Sequence, residues 1–190
     1  MQTTTAQSSA TETSKTTTWT IDPSHSHAEF KVRHLMISNV RGEFQKLEGS
    51  VTFDPKNPEA ATVRASIDVA SINTREPKRD DHLRSPDFFD VANHPKIEFV
   101  SKKFRRADAG LEIVGDLTIR GTTREVVLAV DGPTSEQSDP WGNVRVGASA
   151  TTKIKRSDFG VTWNAALETG GVVVGDEIQI QLDVELIKSK

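Results

Sequence analysis

Apolar and polar residues alternate along most of this chain, the period of a strand with one buried face and one wet face. AlaGluPheLysValArgHis puts Ala28, Phe30, Val32 and His34 on one side and Glu29, Lys31 and Arg33 on the other. A corner at Met36–Asn39 leads through ValArgGlyGluPhe to an inward row of Leu47, Gly49, Val51 and Phe53. AspProLysAsnPro at 54–58 then supplies turn chemistry, because proline restricts φ and Asx side chains bond nearby backbone. Further rows follow: Val63, Ala65, Ile67 and Val69; Ile97 and Phe99; Leu111, Ile113, Gly115, Leu117 and Ile119; Val126, Leu128 and Val130; Val144, Val146, Ala148 and Ala150. The last is the most regular, with Ile178, Ile180, Leu182, Val184 and Leu186 alternating with polar residues.

About eight strands with short connections and no long helix predict an antiparallel sheet, since parallel strands need crossover helices. A single antiparallel barrel is favoured over a sandwich. Small inward residues (Ala28, Ala65, Gly115, Ala148, Ala150) either leave room for a ligand or relieve crowding where the barrel tapers.

The alternation stops between Thr74 and Phe99. Pro77 suits the first turn of a helix, LysArgAspAspHisLeuArg makes two turns, and Pro86 disfavours helix at Ser85. The segment brings Leu83, Phe88 and Phe89 together, so it is expected to fold over one end of the strands with Lys78, Arg79, Asp80, Asp81 and Arg84 facing water or a polar group. A second insert, ArgSerAspPheGlyValThrTrp at 156–163, is placed beside it.

With 190 residues the chain suits one domain. Residues 1–18, rich in Thr, Ser, Ala and Gln, read as a disordered tail, and 19–190 as the barrel. The tail has neither a basic start nor an apolar stretch, so it does not read as a secretory signal. The expected location is therefore cytoplasmic, or periplasmic or secreted if the native precursor starts elsewhere. No run approaches the ~20 apolar residues of a membrane-spanning helix. A formal charge of −3 argues against a nucleic-acid surface. The absence of cysteine excludes disulfides, thiolate nucleophiles and Cys-ligated zinc.

His25 and His27, two apart on a strand, could share a metal with His34, His82 or Asp81, but no spacing forces convergence and no metal site is expected. Asp80, Asp81 and His82 could supply acid–base groups, yet neighbours on a helix do not face each other. Hydrolase and nucleotide-binding signatures are missing, and no catalytic residue or cofactor is expected. The aromatic residues suit a filled core and an apolar channel equally.

TrpThrIleAspProSerHisSerHisAlaGluPheLysValArgHisLeu, ValArgGlyGluPhe, SerIleAsnThr, ArgAspAspHisLeuArgSerProAspPhePheAsp, HisProLysIleGluPhe, GlyAspLeuThrIleArgGlyThrThrArg, ArgSerAspPheGly and GlyAspGlu occur in that order from Trp19 to Ile187. Together they resemble the YceI family. The resemblance implies a lipocalin-like barrel whose pore holds a polyisoprenoid, quinone-like or other long-chain amphiphile without catalysis. On that reading the tail is lined by Phe30, Val32, Phe44, Phe53, Ile67, Phe88, Phe89, Phe99, Leu117, Leu128, Ala148, Phe159, Trp163 and Ile180. The head group is assigned to His25, His27, Arg79, Asp81 and His82. The partners expected are a lipid, a membrane met transiently, a second copy in a homodimer, and no nucleic acid. Two rival readings are a metal-dependent or acid–base enzyme using His25 and His27, and a filled barrel serving as an interaction module.

Overall fold

The computed structural model describes residues 16–54, 57–107, 110–166 and 171–190. Twelve strands form among them, in one antiparallel system that closes on itself. The first wall strand has two pieces, β1 (Thr17–Ile21) and β2 (His27–His34), interrupted at 22–26. The second also has two, β3 (Ser38–Phe44) and β4 (Leu47–Phe53), with β1 paired to β4 and β2 to β3. The third is β5 (Thr62–Asp68) with the short β6 (Ile72–Asn73), paired to β4 and β3 respectively. Then come β7 (Lys96–Ala107), β8 (Gly110–Ile119), β9 (Thr122–Asp131), β11 (Val144–Lys155) and β12 (Val174–Lys188), each beside its predecessor. The two-residue β10 (Gln137–Ser138) hangs from the edge of β11.

β12 closes the barrel by pairing with β11 on one side and with both β1 and β2 on the other. The result is an eight-stranded up-and-down barrel in chain order, as the alternation predicted. The wall begins at Thr17, two residues ahead of the predicted start, and Thr17 lies opposite Phe53. The expectation for residues 1–15 falls outside the described residues.

The inward rows land inside: Ala28, Leu47, Ile97, Phe99, Ile113, Leu117, Leu128, Val146 and Leu186 are buried in one continuous apolar cluster, and Val32 is buried too. Helix α1 (Pro77–Arg84) has the predicted bounds. Pro77 starts it, Glu76 caps it by accepting from the Lys78 N–H, and Ser85 is extended ahead of Pro86. Two of its charged residues meet polar groups of the barrel, not water. Asp80 points inward and is buried, where Oδ1 accepts from the Thr74 N–H (2.9 Å) and the Thr74 hydroxyl (2.5 Å). Arg84 also turns back to the barrel, donating to the Ala70 and Ile72 carbonyls.

Candidate functional site

A cavity of about 440 Å³ runs through the barrel. Leu83, Phe88 and Phe89 from the first insert and Phe159 and Val161 from the second line it at one end. Thr17, Pro133, Thr134, Glu136 and Lys188 line it at the other. At about 3.3 Å per residue and a tilt near 40°, the twelve residues of β11 span about 30 Å along the axis. The cavity is therefore long as well as apolar.

Phe30, Val32, Phe44, Phe53, Ile67, Phe88, Phe89, Phe99, Leu117, Leu128, Ala148, Phe159 and Ile180 all face this space. Trp163 does not. It lies beyond the left-handed turn at Gly160, where its carbonyl accepts from Arg156 and its indole sits 4.9 Å from the His82 ring and 5.2 Å from Phe88. It covers the lid instead of lining the pore.

The two inserts do sit side by side. Arg120, at the β8–β9 turn, donates to the Pro86 carbonyl of one and the Gly160 carbonyl of the other. Arg156 is buried and donates to the carbonyls of Val161, Trp163, Val174 and Gly175, and burial pushes its guanidinium pKa down. It anchors the second insert to β12. Its signal was present in the sequence, because Arg156 continues the inward row 146, 148, 150, 152, 154. Lys188 likewise continues the row ending at Leu186. There its ammonium pairs with Glu136 at 2.7 Å and lies 5.2 Å from the Trp19 ring.

The five polar residues assigned to a head group are not brought together. His27 is exposed on the outward register of β2, opposite Asp183. His25 sits in the 22–26 interruption, with a ring 60% exposed and 3.0 Å from Asp22. Arg79, Asp81 and His82 are on α1, at the barrel's end. Arg79 donates to Thr74, Asp81 pairs with Arg84, and His82 pairs with Asp87. A bend in the first wall strand, which alternation does not forecast, separates His25 from any pore-facing position.

That bend is held by charge. Arg145 bridges Asp22 (2.6 Å), Glu185 (2.5 Å) and Asp139 (2.7 Å). Arg145 and then His25 hold the Asp22 carboxyl well below the usual carboxylate range. Burial pushes the Asp139 carboxyl up, but bonds from Asn143, Arg145 and the Asn143 and Trp141 N–H groups outweigh it and leave the pKa low. The three carboxylates in turn raise the Arg145 pKa. Asp22, His25 and Glu185 approach within 4.8 Å, close enough for a metal, but the guanidinium already occupies the space between the two carboxylates.

Residues 19–186 match the YceI-like domain. The chain belongs to this family. It is 36% identical over 169 residues to UPF0312 protein SAS2572 of Staphylococcus aureus (strain MSSA476), covering 89% of this chain and 96% of that protein. It is also 36% identical over 166 residues to UPF0312 protein YE1254 of Yersinia enterocolitica, covering 87% and 83% respectively. Among solved structures, the Burkholderia cenocepacia protein BcnA superposes with a TM-score of 0.72 at 25% identity, over 87% of this chain and 98% of that one. A polyisoprenoid binding domain from Saccharophagus degradans superposes at 0.65 with 13% identity, over 90% and 98%, a likeness of fold. The YceI-like barrel thus accounts for nearly all of the described chain.

Proposed function

We propose that this YceI-like protein is a non-catalytic carrier that holds a long-chain amphiphile, a polyisoprenoid or quinone-like lipid, with its tail in the barrel. The observation that carries the reading is the elongated apolar cavity of about 440 Å³, within the ~300–1,000 Å³ of small-molecule sites. Each buried CH₂ contributes about 0.8 kcal/mol, so ten carbons contribute roughly 8 kcal/mol before the ordering costs of binding. The tail therefore supplies affinity. Support also comes from the S. degradans neighbour, whose polyisoprenoid binding domain shares this barrel. The enzyme reading is disfavoured by the placement of His25 on the outer wall, beside carboxylates already engaged by Arg145.

The test is to purify the protein under native conditions, extract it with organic solvent and identify the extract by mass spectrometry. One defined isoprenoid or quinone near one per chain is expected. An empty extract, together with no uptake of added lipid, would overturn the carrier reading.

A further inference from the structure

The β2–β3 hairpin projects at the end of the barrel that carries α1, and its tip is apolar. Ile37 is 79% exposed and Met36 53%, and the Leu35 N–H donates to the Val173 carbonyl (2.8 Å), bringing the exposed Val172 alongside. Leu35 and Met36 have φ of 51° and 59°, the left-handed region that Gly, Asn or Asp usually fill in such turns. The turn is nevertheless well held: the Ile37 N–H donates to the His34 carbonyl (3.1 Å), and Arg33 Nη2 donates to the Met36 carbonyl (2.9 Å). Two large apolar side chains are thus held outward on a braced turn.

The outward face behind the tip carries three cations. Lys31 lies opposite Arg41 and Arg33 opposite Asn39 on the outward face of the hairpin. Among the described residues none of these three cations pairs with a carboxylate. On the adjoining β12, Glu177 pairs with Lys153, and Asp176 accepts from the Ser157 N–H and hydroxyl. Acidic residues return only at the Glu29–Glu43 pair, two residues further from the tip on each strand.

We infer that this hairpin docks the protein on a bilayer carrying anionic phospholipid, with Met36, Ile37 and Val172 entering the interface and Lys31, Arg33 and Arg41 meeting the headgroups. Charge complementarity selects this occupant, because an apolar tip backed by Arg33 at the turn and by Lys31 and Arg41 further down the hairpin, none paired with a carboxylate among the described residues, fits a negatively charged lipid surface. The exposed aromatic Trp141, 80% exposed, sits instead in the 135–143 loop, where the cations Arg145 and Lys188 are paired with Asp139 and Glu136, so no unpaired cation backs it there among the described residues. The inference does not depend on which lipid occupies the barrel.

The experiment is flotation of the full chain with phosphatidylcholine vesicles containing about a quarter phosphatidylglycerol, beside pure phosphatidylcholine vesicles. Partitioning onto the anionic vesicles is expected, about tenfold or more above the neutral ones and weakened by about 0.5 M salt. Ile37→Glu should reduce it about tenfold or more, with the melting temperature kept; if that variant melts early, Ile37→Ser makes the same comparison. Lys31→Gln with Arg41→Gln should reduce it about 25-fold, at about fivefold per cation. Trp141→Ala should leave it unchanged. The inference is overturned if the wild-type chain ignores anionic vesicles, if the hairpin variants bind as well as wild type, or if Trp141→Ala abolishes binding. It is equally overturned if gel filtration shows a dimer that Ile37→Glu converts to monomer, which would make the tip a contact between copies.

Discussion

Gly115 and Ala148 read alike in the sequence, as small residues on an inward row, yet they do opposite things. A Cβ on Gly115 would lie 2.5 Å from the Phe99 ring and 2.6 Å from the Val100 carbonyl, so Gly115 admits an aromatic side chain and leaves no vacancy. Ala148 borders the cavity itself. Small size on an inward row is thus legible, but whether it makes room depends on the partner across the wall, which one sequence does not specify. The contrast sets a prediction. Ala148→Phe should lower lipid bound per chain about tenfold or more by filling the bore, while melting within a few degrees of wild type because the ring enters open space. Normal lipid loading measured on the purified variant would count against a tail at that wall.

At the scale of elements, the strands and α1 were readable because local rules and tertiary demands agree there. Alternation marked the rows, and Pro77 and Pro86 bounded the helix. The break at 22–26 was not readable, because its cause is Arg145 and Glu185, more than a hundred residues away in the chain. Nor was the role of Asp80, which a surface helix would expose. Its carboxylate serves the Thr74 hydroxyl and N–H in a buried site and so pins the helix to the end of the third wall strand. Asp80→Ala should cost about 2–3 kcal/mol in denaturant unfolding, since it strands two buried donors, and Asp80→Asn less, since an amide oxygen still accepts. Equal losses for the two would argue that packing, not this acceptor, holds the lid.

For the molecule as a whole, the Arg145 network joins the first wall strand, β12 and the 135–143 loop, and it makes stability depend on acid. The folded Asp22 carboxyl has a depressed pKa, so its contribution is complete above the unfolded value of about 3.9 and is lost as pH falls below it. Urea midpoints should hold steady from neutral pH to about 5 and then fall, with Asp22→Asn weaker at neutrality and less sensitive to acid. An Asp22→Asn chain that declined as steeply as wild type would place the acid sensitivity elsewhere. β12 has a further consequence, one of timing. The strand that seals the barrel against β1, β2 and β11 is synthesised after the other wall strands, so seven wall positions leave the ribosome before the seam can close. Until then the apolar lining is an open sheet face, exposed to whatever binds such surfaces, and the window for misassociation lasts as long as translation of the final fifteen-residue strand is delayed.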